Sequence, residues 1–224
     1  MTGTMKSAEL LNQADANTQP LAVTLPVGRT EQARAATTRA LLVNTARDLF
    51  GQAGYHATGT NDVVVRAAVT RGALYHHFPA KEDLFEAVYR QVADDLSAET
   101  NAATRSMEGQ TWVRVIASVR AYLGLLAARP AIQRILLIDG PSVFGWTRWR
   151  TLQVECRLPG WVETLRLLTQ QGMIADQPRG PLAHLILAVM DDAALTIAHA
   201  ADPEAALAEV MGAVETLLNG LRRV

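Results

Sequence analysis

An all-α fold is predicted by three features of the 224-residue sequence. Alanine and leucine dominate, aromatics make up only 5%, and glycine (15) and proline (9) are ordinary in number. Apolar residues recur three and four apart in one segment after another, the spacing of a single buried helix face. Most breakers, among them Gly54, Pro130, Pro178 and Pro203, fall between those segments. The length suits a small domain followed by a larger one. The patterning divides the chain into a tail (1–33), a small helical module (34–80) and a helical bundle (81–224).

Residues 1–33 lack periodicity and carry Pro20, Pro26 and Gly28 among polar residues, the composition of a disordered tail. The first helix is expected over Ala35–Ala53, with Leu42, Ala46, Leu49, Phe50 and Ala53 on one face and Gly54 as its stop. Two short helices follow. Val63 and Ala67 stand four apart, as do Leu74 and Phe78, so each helix has one buried stripe. Thr60 and Thr70 occupy N-cap positions, and Val69 is placed to staple against Leu74. Arg71, Gly72, Tyr75 and His76 then fall on the outer side of the second short helix. Between Val63 and Lys81 lie Arg66, Arg71 and Lys81 and no acidic residue. A short helix with a cationic outer face, propped by another, is a helix-turn-helix shaped for the DNA major groove.

Lys81 opens a long fourth helix through Leu84, Val88, Val92 and Leu96. After Met107-Glu108-Gly109 an amphipathic helix carries Trp112, Val115, Val119, Tyr122 and Leu126. Pro130 starts a short helix that Asp139-Gly140-Pro141 should stop, and Leu158-Pro159-Gly160 should break or kink the next one. An apolar helix covers 182–200, and Asp202-Pro203-Glu204 begins the last. There Leu207, Val210, Val214, Leu217 and Leu221 alternate spacings of three and four, the pattern of antiparallel helix pairing or of one more core helix.

VTRGALYHHFPAKEDLF, at 69–85, resembles the DNA-binding signature of the TetR family of bacterial repressors. A looser likeness, LLIDGPSVFGWTRWR at 136–150 with AHLILAVMDDAALTIAHA at 183–200, resembles the effector-binding half of some members. The resemblance implies a three-helix DNA-binding domain, a bundle for effector binding and dimerisation, and a four-helix dimer interface from the last two helices. Two positions depart from the family pattern. Ala68 stands where glycine is usual, costing about 1 kcal/mol if the backbone is left-handed there, and Ala80 replaces a capping serine at a similar cost.

On that basis Arg71 donates to a guanine or a phosphate, and Gly72 lets the backbone approach DNA. Tyr75 places its hydroxyl on a phosphate or packs; His76 is a groove contact, and His77 a backbone contact or partly packed. Lys81, with the amides opening the fourth helix, and Thr60 are further phosphate contacts, and Thr70 belongs to the same face. Net charge is −1, so affinity for DNA has to come from this patch rather than from the whole surface. Arg29 in the tail and Arg34 just after it have either no role or that of a minor-groove arm.

Enzyme signals are missing: neither GxxxxGK[ST] nor GxGxxG occurs, and adjacent His76 and His77 cannot chelate one ion from a helix. No catalytic residue, metal or cofactor is assigned. The single cysteine, Cys156, fits a reducing cytoplasm, and no leader or uninterrupted membrane-length apolar run stands out. Asp191, Asp192 and His184 read as a polar network near the dimer seam, with a metal or ligand site as the alternative. All four tryptophans lie mid-chain, where nine arginines stand between 105 and 166. That mixture suggests a cavity for an apolar or anionic small molecule, with Trp112, Tyr122, Phe144, Trp146, Trp149 and His184 as its candidate lining. The expected protein is a homodimeric, ligand-responsive repressor on a palindromic operator. An activator or ligand-independent regulator of the same fold is the alternative; a small enzyme or interaction module is more remote.

Overall fold

The computed structural model describes residues 27–107 and 111–223. The chain forms two compact units, one through Thr37 and one from Thr38 onward. Helix α1 spans Val27–Ala53. It therefore begins eight residues before the expected Ala35. The stretch from Val27 holds alanine, arginine, glutamate and glutamine without proline, so propensity sustains a helix where no apolar stripe announces one. In the first unit the Thr37 hydroxyl donates to the Ala33 carbonyl at 2.9 Å. The rest of the expected tail, residues 1–26, lies outside the described residues.

In the second unit, Leu42, Ala46 and Phe50 of α1 are fully buried. Gly54 ends the helix at φ +87, with its N–H on the Phe50 carbonyl at 2.8 Å. Helices α2 (Thr60–Arg66) and α3 (Arg71–His77) follow. Val63, Ala67, Leu74 and Phe78 are all buried in the same core as those α1 residues, as the four-residue spacing requires. The turn between α2 and α3 passes through Ala68 at φ +52, the only non-glycine residue with positive φ among those described. Thr70 caps α3, accepting from the Ala73 N–H at 3.1 Å. Thr60 does not cap α2: Gly59 holds the N-cap and its N–H goes to the Asp62 carboxylate at 2.7 Å. Ala80 opens α4 (Lys81–Thr104) without a side-chain cap of its own, and Asp83 takes its N–H at 2.8 Å.

The bundle is built from α4, α5 (Thr111–Ala127), α6 (Pro130–Gln133), α7 (Gly140–Gln170), α8 (Arg179–His199) and α9 (Pro203–Asn219). Helix α4 packs on α5 and α7, and α8 on α5, α7 and α9. Helix α6 runs on as a π-helical stretch, Arg134–Asp139, directly into α7. The helix neither stops at 139–141 nor breaks at 158–160. Gly140 keeps helical torsions at φ −50, ψ −61, and Pro141 follows it without ending the helix. The kink falls at Gly145 instead (φ +70, ψ 163), and the helix continues through Pro159. Helix α8 is long and apolar enough to cross a membrane by length and composition. Its buried residues, including Ile186, Leu187, Met190 and Ile197, instead belong to the bundle.

Leucine seams on α9 are divided by this packing. Val214 is buried in the chain's own core, Leu207, Val210 and Leu221 are half-buried against it, and Leu217 is 60% exposed. A three-four alternation cannot separate a residue packed inside the chain from one facing outward, because both stripes share the spacing.

Replacing Ala68 by glycine should relieve the left-handed backbone and stabilise the fold by up to about 1 kcal/mol. The thermal midpoint is expected to rise by roughly 2–4 °C. A lower midpoint would show that this turn is not strained.

Candidate nucleic-acid interface and bundle cavity

Arg71, Gly72, Tyr75 and His76 are exposed on one side of α3, while Leu74 and Phe78 anchor the other. The Arg71 guanidinium lies over the Tyr75 ring at 5.5 Å. The Tyr75 hydroxyl is 3.4 Å from the Thr60 hydroxyl, which ties the outer edges of α2 and α3 together. The Thr60 hydrogen bond, then Arg71, hold the Tyr75 phenol below its usual pKa. His77 is half-buried and stacks loosely on Phe78, so of the two histidines only His76 faces fully outward. This face presents donors and no acid, which suits phosphate oxygens and guanine edges.

Lys81 is placed differently from expectation. Its ammonium donates to the Tyr55 carbonyl at 2.5 Å and lies 4.0 Å from the centre of the Tyr55 ring. Burial lowers its pKa, against the opposing pull of Asp139 and Asp62. The α4 terminus beside it carries Glu82 and Asp83 in its first turn. Lys81 thus fastens the loop after α1, and the amides of that terminus face carboxylates first.

In the bundle a cavity of about 450 Å³ opens between α4, α5, α7 and α8. Of the six expected lining residues only Tyr122 borders it. Trp112 turns toward the end of α9, donating to Asn219 at 3.0 Å. Phe144 packs on Phe85 and Tyr89, and Trp146 is 68% exposed. Trp149 is buried with its indole N–H on the Leu136 carbonyl at 2.9 Å. His184 is exposed, as is Asp192, so the expected trio does not assemble. Asp191 is buried instead between Arg150 (3.0 Å) and Arg157. The lining that sequence reasoning missed includes Ser97, Thr100, Thr104, Arg157 and Trp161. Cys156 also borders the cavity, and burial raises its thiol pKa, which keeps it protonated.

The sequence profile described as "Bacterial regulatory proteins, tetR family" matches residues 42–88, which hold α2 and α3. A second, "Tetracyclin repressor-like, C-terminal domain", matches 112–221. A crystal structure of a TetR-family transcriptional regulator from Pectobacterium atrosepticum is 36% identical, covering 86% of this chain and 98% of that one, with a TM-score of 0.75. The chain belongs to the TetR family. Among curated relatives, the TetC protein of transposon Tn10 from Escherichia coli is 43% identical over 114 residues, 51% of this chain and 56% of TetC. The regulator UidR of E. coli K12 is 37% identical over 60 residues, 27% of this chain and 31% of UidR. The alignments thus span about half or less of these curated relatives. The TetR match places the α2–α3 pair among DNA-binding regulators rather than enzymes.

Arg71→Ala should weaken binding to an operator fragment by about 1–3 kcal/mol and relax preference at one base pair; Tyr75→Phe should weaken all sequences alike. Both side chains are exposed, so thermal midpoints should stay near wild type. Full operator affinity in Arg71→Ala, measured by fluorescence anisotropy, would remove α3 from the interface.

Proposed function

We propose that this protein is a ligand-responsive repressor acting in the cytoplasm, binding a palindromic operator as a homodimer through two copies of α3. The observation that carries the reading is that one helix serves both sites. The first turns of α4 bury Leu84 and Phe85 in the core shared with the DNA-binding module, and its last turns supply Ser97, Thr100 and Thr104 to the cavity. A molecule that settles in the cavity displaces the far end of α4 and thereby tilts the near end. In a dimer, that tilt changes the separation of two recognition helices that must meet major grooves about 34 Å apart. The domain division follows the same logic: 34–80 for DNA, 81–224 for ligand and partner.

The dimer reading rests on the outward face of α8 and α9. Leu185 (66% exposed) and Leu217 (60%) stand there with the exposed small residues Ala188, Ala208, Gly212 and Ala213. Small residues let helices approach closely, and large exposed apolar side chains call for cover. Leu217→Asp places a charge in that face. Sedimentation should show a monomer with much weaker operator binding, while helical content stays the same because Leu217 is outside the chain's own core. A wild-type dimer would place the interface elsewhere.

Fragments of the source genome selected by purified protein would identify the operator, and a reporter behind it should rise when the protein is removed. A fall would make the protein an activator. Among the four tryptophans only Trp161 borders the cavity, so a Trp161→Phe variant should lose most of the ligand-induced fluorescence change. Linkage requires operator-bound protein to bind the effector more weakly by the same factor that the effector weakens operator binding, typically about 5–150-fold. A cavity ligand with no effect on operator affinity would remove the ligand-responsive part of the reading.

A further inference from the structure

The distribution of charge around the cavity narrows what it can hold. Of the nine arginines between 105 and 166, seven have a partner. Arg120, Arg129, Arg148 and Arg166 pair with glutamates, Arg134 with the Gln52 carbonyl, and Arg150 and Arg157 share Asp191. The two with no ion-pair partner among the described residues, Arg105 and Arg114, both line the cavity. Among the described residues no acidic side chain lines it.

A second, independent observation lies at its inner end. A small annex of about 10 Å³, room for one water-sized atom, shares Ser97, Tyr122, Cys156 and Arg157 with the main cavity and adds Gln153. Gln153 is 1% exposed. Its side-chain oxygen accepts from Arg157 at 2.7 Å, which fixes the amide orientation because arginine can only donate. The amide nitrogen is thereby aimed elsewhere and has no partner. A buried amide donor left unpaired costs about 1–3 kcal/mol. Burial also raises the Tyr122 pKa, so its phenol stays protonated and able to donate. The inner end thus gathers donors, one of them unmet, around a space for one acceptor atom. Asp191, the nearby buried acid, is already shared by two arginines.

We propose that the cavity binds an aromatic monocarboxylate, with one carboxylate oxygen in the annex on Gln153, Arg157 and Tyr122, and the ring against Trp161. This rests on the cavity being the regulatory site. A planar carboxylate can insert a single oxygen into so small a space, whereas the three oxygens of a phosphate cannot all be served there. Val115, Val119, Leu167 and Met190 complete an apolar wall for the ring, and Arg105 and Arg114 add positive potential.

Titration calorimetry on the full-length protein with 1-naphthoate, 1-naphthamide and 1-naphthylmethylamine separates charge from shape. The carboxylate should bind at least about tenfold more tightly than the amide, and the amine more weakly than both. Gln153→Glu keeps the acceptor for Arg157 but replaces the unmet donor with an anion. It should lose naphthoate affinity by about tenfold or more while retaining the amide and the wild-type thermal midpoint. Gln153→Leu, which removes the donor without adding charge, should fall between them. The proposal is overturned if wild type prefers the amide or amine, if naphthoate does not bind, or if Gln153→Glu binds it as wild type does. Operator release measured on the same samples keeps the two readings apart. An uncharged compound that binds more tightly than naphthoate and releases DNA leaves the repressor reading intact and defeats this one. Naphthoate that binds as described without affecting DNA does the reverse.

Discussion

The backbone of Tyr55 is gripped from both sides, and the placement of the DNA-binding module depends on that grip. Its N–H donates to the Asp139 carboxylate at 2.8 Å, and its carbonyl accepts from the Lys81 ammonium at 2.5 Å. Gly54, at φ +87, turns the chain so that both are possible; a side chain there would be strained by that backbone conformation. Hydrogen bonds to charged groups contribute about 1.5–3 kcal/mol each, so the pair is worth several turns of helix propensity. Arg134 adds a bond to the Gln52 carbonyl at 2.7 Å, and His56 meets Ser142 at 3.2 Å. The loop after α1 is therefore attached to the segment joining α6 and α7 as well as to α4.

That attachment gives the bundle a second route to the head. Asp139 closes the π-helical stretch Arg134–Asp139, and Leu136 and Leu137 in the same stretch border the annex beside Gln153. π-helical turns hold an extra residue per turn and commonly mark positions where a helix is shaped for function. Here the stretch brings a wall of the cavity and the carboxylate holding Tyr55 into one short segment. Beneath it, Asp191 keeps Arg157 fixed at the inner end of the cavity, so the cavity's polar groups there sit on packed helices rather than on loops.

How much of this was legible in the sequence depends on what each feature rests on. The helix-turn-helix was readable because two four-residue spacings, Val63–Ala67 and Leu74–Phe78, have only one way to be buried at once. The outward set Arg71, Gly72, Tyr75 and His76 followed from the same geometry. The hold of Lys81 on Tyr55 was not legible because a cation beside a helix start looks the same in sequence whether it meets a phosphate or a carbonyl 26 residues back. The cavity was misjudged because tryptophans were taken as its wall. Three of the four are held elsewhere by packing or exposure, and the actual lining is largely serine, threonine and arginine with ordinary helical spacing. Pro159 stood out as a breaker and Gly145 did not, yet a proline can be carried inside a helix whereas a glycine can reverse φ.

The central claim is that α3 enters DNA as part of a module held by the Tyr55 joint. Amide hydrogen exchange on the protein with and without its selected operator tests it most directly, because protection is read segment by segment. Slowed exchange should appear across Arg71–His77 and the adjoining Thr60 region when operator is bound. Protection confined to the exposed faces of α8 and α9, with α3 exchanging as in the free protein, would contradict the account.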